Sequence, residues 1–263
     1  MTAHLMNRNR SRLGTRRPAP PALVLVGHGS RDPRALSTVR TLMERIRELR
    51  PGLPVRLGHI ELNEPLLPDT LASLGTGDAV LVPLLLSRGH HVKRDIPEAA
   101  AASRARTRVA APLGPHPLLV ETLHTRLVEA GWRAPDAAGR RTSGVVLAAA
   151  GSRDPDAAVD TRRTAELLAE RLGVPVVPAY ASAAAPTVAD AVRAFAERGR
   201  HHIAVASYFT APGRFSTECA AAAPGPAASP LGAHPSMARL TLHRYDQAMA
   251  TPTPTHHPLA ATA

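Results

Sequence analysis

The sequence predicts an α/β protein of two pseudo-symmetric units, each a mainly parallel sheet with helices on both faces, with a cleft between them. Three observations carry that expectation. LVLVGHGSRDP (Leu23 to Pro33) returns as VVLAAAGSRDP (Val145 to Pro155). PLGPHP (Pro112 to Pro117) returns as PLGAHP (Pro230 to Pro235). Inside each copy, short apolar runs alternate with stretches of helical spacing, the pattern of parallel strands joined by crossover helices. Two fainter echoes lie between these. VPLLLSRGHH (Val82 to His91) matches ASYFTAPGRF (Ala206 to Phe215), and GHIELNEPLL (Gly58 to Leu67) aligns with PAYASAAAPTV (Pro178 to Val188) through Pro65 and Pro186. Matches in the same order, at offsets of 118 to 124 residues, indicate duplication. Two copies make a pseudo-symmetric pair rather than a solenoid.

The elements follow in order. ALVLV is a short apolar strand ending in a Gly-rich turn. STVRTLMERIRELR then has helical spacing at Val39, Leu42, Met43, Ile46 and Leu49, and Pro51 with Gly52 ends it. PVRLGHIEL reads as the second strand, AVLVPLLLS as a third buried on both faces, and RVAAPLG as a fourth. LLVETLHTRLVEAG closes the unit as a helix. The units are placed at 22–138 and 143–246, with 139–142, inside GRRTSG, as the linker. Residues 1–21 carry Arg8, Arg10, Arg12, Arg16 and Arg17 without an acidic group, and read as a disordered tail. Residues 247–263, rich in Pro and Thr, read the same way.

Composition excludes several classes of function. A hydrophobic fraction of 44% over 263 residues supports a real core. No run reaches the roughly 18 apolar residues of a membrane span. Cys219 is the only cysteine, so an intrachain disulfide and a CxxC site are excluded, which suits a reducing cytoplasm. The formal charge is +11, yet Lys93 is the sole lysine beside a large excess of arginine, which reads as coding bias. With aromatics at 3%, there is little to stack bases on, and no nucleic-acid partner is expected. Two fused units can stand in for a homodimer, so a monomer is expected.

Ligands of open parallel sheets bind at the carboxyl ends of the strands. His28 follows the first strand, Glu61 closes the second, and His90 and His91 follow the third. The second copy has Ala150, Ser182 and Phe215 in place of His28, Glu61 and His91. A duplicated scaffold needs only one working site, and its other half can become a wall of the cleft. His116 and His234 recur in both copies and read as turn caps. His256 and His257 lie in the C-terminal tail. Ser30 lacks the spacing of a nucleophile elbow and reads as a cap of the next helix. His59 either shares the face of Glu61 or belongs to the core.

GHGSRDP, the Glu61 to Pro65 strand end, and PLLLSRGHHVKRDIP with Gly89, His91, Asp95, Ile96 and Pro97 together resemble the class II chelatases of tetrapyrrole biosynthesis. The resemblance is to the sirohydrochlorin cobalto- and ferrochelatase family in its long, internally duplicated form. It implies two chelatase-like units, the active one first, and insertion of a divalent metal into a free tetrapyrrole. It singles out His28 and His91 as the catalytic, metal-holding pair, so His91 is preferred over His90. No organic cofactor is implied; the metal, Fe²⁺ favoured and Co²⁺ as the alternative, is a substrate. His90 and the Arg-rich tail depart from the family pattern.

Imidazole suits such chemistry, because it binds first-row metals when neutral and titrates near neutral pH. Glu61 is expected as a third ligand or proton acceptor. Arg31, Arg88, Lys93, Arg94 and Arg214 are placed to hold substrate carboxylates, and Phe215 to contact the ring face. A non-catalytic tetrapyrrole or metal carrier is the competing expectation. A His-nucleophile phosphatase is disfavoured because Gly27, not Arg, precedes His28.

Overall fold

The computed structural model describes residues 19–251; both tails fall largely outside them, and His256 and His257 entirely so. The first half runs β1 (Ala22–Gly27), α1 (Pro33–Leu49), β2 (Val55–His59), α2 (Leu67–Ala72), β3 (Asp78–Pro83), α3 (His90–Lys93), α4 (Asp95–Ala102), β4 (Arg106–Val109) and α5 (Pro117–Glu129). The linker is one helical turn, α6 (Gly139–Thr142). The second half runs β5 (Ser143–Ala149), α7 (Pro155–Leu172), β6 (Val176–Tyr180), α8 (Val188–Ala196), β7 (His202–Tyr208), α9 (Arg214–Ala221) and α10 (Pro235–Ala250).

Every strand pair is parallel. The sheets have the orders β2-β1-β3-β4 and β6-β5-β7. The second sheet lacks a fourth strand. There Pro224, Gly225 and Pro226 interrupt the chain, and prolines cannot donate to a ladder. What remains is an isolated bridge from Val205 to Ala227.

The alternation of side chains along each strand sorts the core into layers. Ala22, Val24 and Val26 join Leu67, Leu71 and Ile96 under α2 and α4. Val146, Ala148 and Val205 join Val188, Phe195 and Cys219 under α8 and α9. Leu23, Leu25, Val145 and Leu147 face a single central core that both halves share. Helices α1, α5, α7 and α10 fill it, and they do not keep to their own halves. Helix α5 packs on α7 and β7, while α10 packs on α1, β3 and β4. Each half's closing helix therefore covers the other half's sheet.

Polar bonds tie down the exchange. Arg108 on β4 donates to the carbonyls of Ala248, Met249 and Thr251 at the end of α10, where a helix leaves acceptors unpaired. Arg50 grips Asp246 through two bonds of 2.6 and 2.8 Å. Tyr208 donates from its hydroxyl to the Leu86 carbonyl at 2.9 Å. Burial pushes that phenol's pKa up, so it stays a donor.

The sequence reading needs correction at several edges. Helix α1 starts at Pro33, with Asp32 as its cap. The second strand stops at His59, and Leu62 turns the chain with a φ of 67°. Helix α10 continues to Ala250, past the 246 boundary. The 22–138 and 143–246 divisions follow the repeat but cut across the packing.

His116 and His234 cap α5 and α10, each accepting through Nδ1 from a backbone N–H two residues on. Only a neutral ring can accept there. Burial, aided by Arg244, pushes the pKa of His116 down to about 4.

Two outcomes are expected. The unfolded chain takes up a proton at His116 near pH 6.5, whereas the native chain resists until about pH 4. Stability present above pH 6.5 is therefore lost as pH falls toward 4. Denaturant midpoints across that range should flatten in His116→Asn, which keeps an acceptor cap without the titration. Secondly, residues 1–142 expressed alone should yield no folded monomer, because α10 is missing from the inner face of β3 and β4. Sedimentation showing a monomer with cooperative unfolding would refute the exchange.

Candidate active site

The site begins with a turn that only glycine can make. Gly29 has a φ of +103°, and a Cβ there would lie 1.9 Å from the Glu61 carbonyl oxygen. That close approach lets the ladder between β1 and β2 run past the strand ends. Ile60 donates to the Gly27 carbonyl and Glu61 to the His28 carbonyl, at 2.9 and 3.0 Å. His28 and Glu61 are thereby set side by side, with Nε2 and Oε1 3.5 Å apart. Asn63 accepts from the Ser30 N–H at 2.7 Å and closes the turn. Ser30 accepts from the Asp32 N–H, and Asp32 caps α1. Ser30 thus shapes the turn and does not itself cap the helix.

The second copy builds the same backbone without the imidazole. Gly151 has a φ of +91°, and its Cβ would lie 1.8 Å from the Ser182 carbonyl oxygen. Ser182 donates to the Ala150 carbonyl at 3.0 Å, and Asp154 caps α7. The phrase is repeated because the turn needs glycine, serine and aspartate, whereas folding places no demand on position 28.

His91 arrives from β3. Its ring meets the His28 ring edge to face, with centroids 4.8 Å apart. Asp95, at the start of α4, accepts from His91 Nδ1, which leaves Nε2 as the free nitrogen. His90 differs: its side chain is 74% exposed against 33% for His91, and its ring centre lies 6.2 Å from that of His91. His59 is 3% exposed and holds the Pro65 carbonyl through Nδ1 at 3.3 Å. Burial lowers its pKa. It is a core histidine at the floor of the cleft.

That cleft has a volume of about 1420 Å³ and is walled by both halves. Val39, Leu62, Ala158, Phe209 and Phe215 give it an apolar lining, and Arg31 and Arg214 stand among the polar groups. The Arg214 guanidinium lies 4.7 Å from the centre of the Phe215 ring. Among the described residues, no three His, Cys, Asp or Glu side chains converge into a ready metal cage.

The expected carboxylate-binding set divides. Arg31 and Arg214 line the cleft; Arg88, Lys93 and Arg94 do not. Arg88 is spent on Asp160, and Lys93 on Asp154 and Asp156, all in the other half. Arg94 sits at the junction of α3 and α4. Sequence reasoning assigned no role to Asn63 or Asp160 and used Asp95 only as a motif letter. The spacing of four from His91 to Asp95 was a usable signal. No local pattern links Arg88 to Asp160, 72 positions away.

Comparison with known proteins bears on this arrangement. A family model described as CbiX matches residues 22–130 and again residues 144–248. The chain belongs to the CbiX family. A relative from Methanococcus aeolicus named "Sirohydrochlorin cobaltochelatase" is 41% identical over 80 residues, covering 29% of this chain and 56% of its own. The Bacillus subtilis "Sirohydrochlorin ferrochelatase" is 31% identical over 175 residues, covering 63% of this chain and 64% of its own. The chain thus spans between about half and two thirds of the length of these relatives. The solved structure "SirB from Bacillus subtilis with Fe3+" superposes with a TM-score of 0.68 at 25% identity, over 88% of this chain and 96% of that one. Both CbiX matches fall on the two copies read from the repeat, and the fold is the expected pair of parallel-sheet units.

Gly29→Ala and Gly151→Ala should each cost more than about 1 kcal/mol of stability, since both force a Cβ onto a carbonyl. Thermal unfolding of the two variants checks this. A tolerated Gly151→Ala beside a damaging Gly29→Ala would refute a shared scaffold role.

Proposed function

We propose that this CbiX-family chain is a sirohydrochlorin chelatase, a lyase-type enzyme that inserts Fe²⁺ or Co²⁺ into a carboxylate-rich tetrapyrrole. The observation that carries the reading is the edge-to-face pair of His28 and His91 beside Glu61, built in one half and absent from the other. Iron would give siroheme; cobalt would give a cobalamin precursor. The relatives' names include both metals, and imidazole donors accept either.

Insertion must strip water from the ion and remove two pyrrole protons. As the ion passes to the four ring nitrogens, the two pyrrole protons pass to His28 and His91 or to Glu61, and the metal keeps its oxidation state, so no redox partner, ATP or organic cofactor is required. His28 and His91 hold the incoming ion through neutral ring nitrogens. Asp95 aims His91 by taking its Nδ1 proton in a hydrogen bond, as carboxylates do for histidine ligands generally. Glu61 is the third ligand or the proton acceptor. An incomplete set of protein ligands leaves positions open for the ring nitrogens and suits an ion that must leave with the product. Arg31 and Arg214 are proposed to hold substrate carboxylates, and Phe215 to cover a face of the macrocycle. The +11 charge favours a polyanionic substrate. Both walls of the cleft come from one chain, so we propose a monomer. No helix among the described residues is long and apolar enough to cross a membrane, and cytoplasmic location is part of the same proposal.

Mixing sirohydrochlorin, metal and catalytic amounts of protein should remove the free-base visible bands over many turnovers. A shift that stops at one equivalent would instead identify a carrier. His28→Ala and His91→Ala should each lower turnover about 100-fold or more, with tetrapyrrole binding retained. His90→Ala should change it little. Near wild-type turnover in either of the first two variants would remove that residue from the mechanism.

A further inference from the structure

The loop after the third strand of each half lies on the helix-capping turn of the other half. A Cβ built on Gly89 would sit 3.6 Å from Ser152 Oγ, and one built on Gly213 would sit 3.7 Å from Ser30 Oγ. The two seams are related by the pseudo-symmetry, so each residue of one has a counterpart in the other. Their bonding is unequal. At the seam that carries His91, the Arg88 backbone N–H donates to Asp160 Oδ2 at 2.8 Å. The Arg88 guanidinium reaches the same carboxylate from Nε at 3.0 Å and from Nη2 at 2.7 Å. Lys93 bonds Asp154 at 2.7 Å and Asp156 at 2.8 Å. At the other seam Pro212, Thr217, Thr38 and Arg34 occupy the places of Arg88, Lys93, Asp160 and Asp156. Those four residues line an open groove of about 520 Å³.

Asp160 is 3% exposed. A carboxylate so deeply buried is costly unless paired, and an apolar pair of similar volume would hold a seam as well or better. Stability alone does not account for it. Direction does. Asp160 grips both the backbone and the side chain of residue 88, three positions before His91, and Lys93 fixes the chain two positions after it.

We propose that Asp160 and Arg88, with Lys93 as a second tie, are positioning residues. The half that lacks counterparts of His28 and His91 supplies the buried carboxylate that keeps the His91 loop in register with His28. The inference deepens the proposed chelatase function and rests on it, so its test has a readout independent of turnover.

Amide exchange over residues 87–93 and the metal dependence of insertion are measured in Asp160→Asn and in the apolar pair Arg88→Met with Asp160→Leu. In Asp160→Asn, exchange over the loop should rise roughly 10-fold. Its kcat/KM for Co²⁺ should fall roughly 10- to 100-fold, with affinity for free sirohydrochlorin unchanged. The apolar pair should recover the wild-type Tm while the loop and the metal dependence remain impaired. Recovery of all three together would make the pair structural only and overturn the proposal. If the wild-type chain inserts no metal, the proposed function fails, and loop exchange alone decides: unchanged protection in Asp160→Asn overturns the positioning role. Should the Asp160 variants not fold, Lys93→Ala, at a partly exposed position, must still loosen the loop, and unchanged exchange there overturns it equally.

Discussion

Leu119, Leu123 and Leu127 leave the half that encodes them and fill the core beneath the other sheet. Met237, Leu240 and Tyr245 make the reverse journey. This reciprocal burial is the constraint on which the rest depends. Each side chain of this size contributes roughly 1.5–3 kcal/mol when withdrawn from water, and here that contribution is available only when both sheets are present. The cleft is therefore not a gap between two finished domains. It is the rim of one continuous core, and its walls cannot swing apart without exposing the inner helices.

Much of this was legible in the sequence because it was written twice. The repeated Gly-Ser-Arg-Asp-Pro turn fixed the strand ends. Strand ends in a parallel sheet share an edge, so His28, Glu61 and His91 could be brought together without coordinates. The preference for His91 over His90 came from the resemblance; in the structure the His91 ring meets His28, and His90 is the more exposed of the two. Helix exchange left no trace, because Leu119 has the same periodicity whichever sheet it covers. Arg88 and Lys93 were misread for a related reason. A sequence shows that a basic residue lies near a histidine, but not which way it points, and these two point across the seam to carboxylates far along the chain. The short helices α2 and α4 escaped because six to eight residues hold too few turns to show a period.

The site also shows what duplication preserves and what it releases. Backbone geometry survived in both halves: Gly29 and Gly151, Asp32 and Asp154, and the histidine caps of α5 and α10 match one for one. Side chains at the strand ends and along the seams became unequal. Asn63, Asp95 and Asp160 all serve the histidine side, through a turn, a ring and a loop respectively. The half without the His28 and His91 counterparts is thus an unequal partner in composition, yet it closes the cleft, buries α5 and meets the His91 loop.

The helix exchange has a hereditary consequence. A single half folding as a symmetric pair would send its closing helix into its twin, so fusion of two such genes changes no contact in the core. From then on, a copy can lose its histidines without penalty, because the other copy still has them. It cannot lose its last helix, because that helix is the lining of its neighbour.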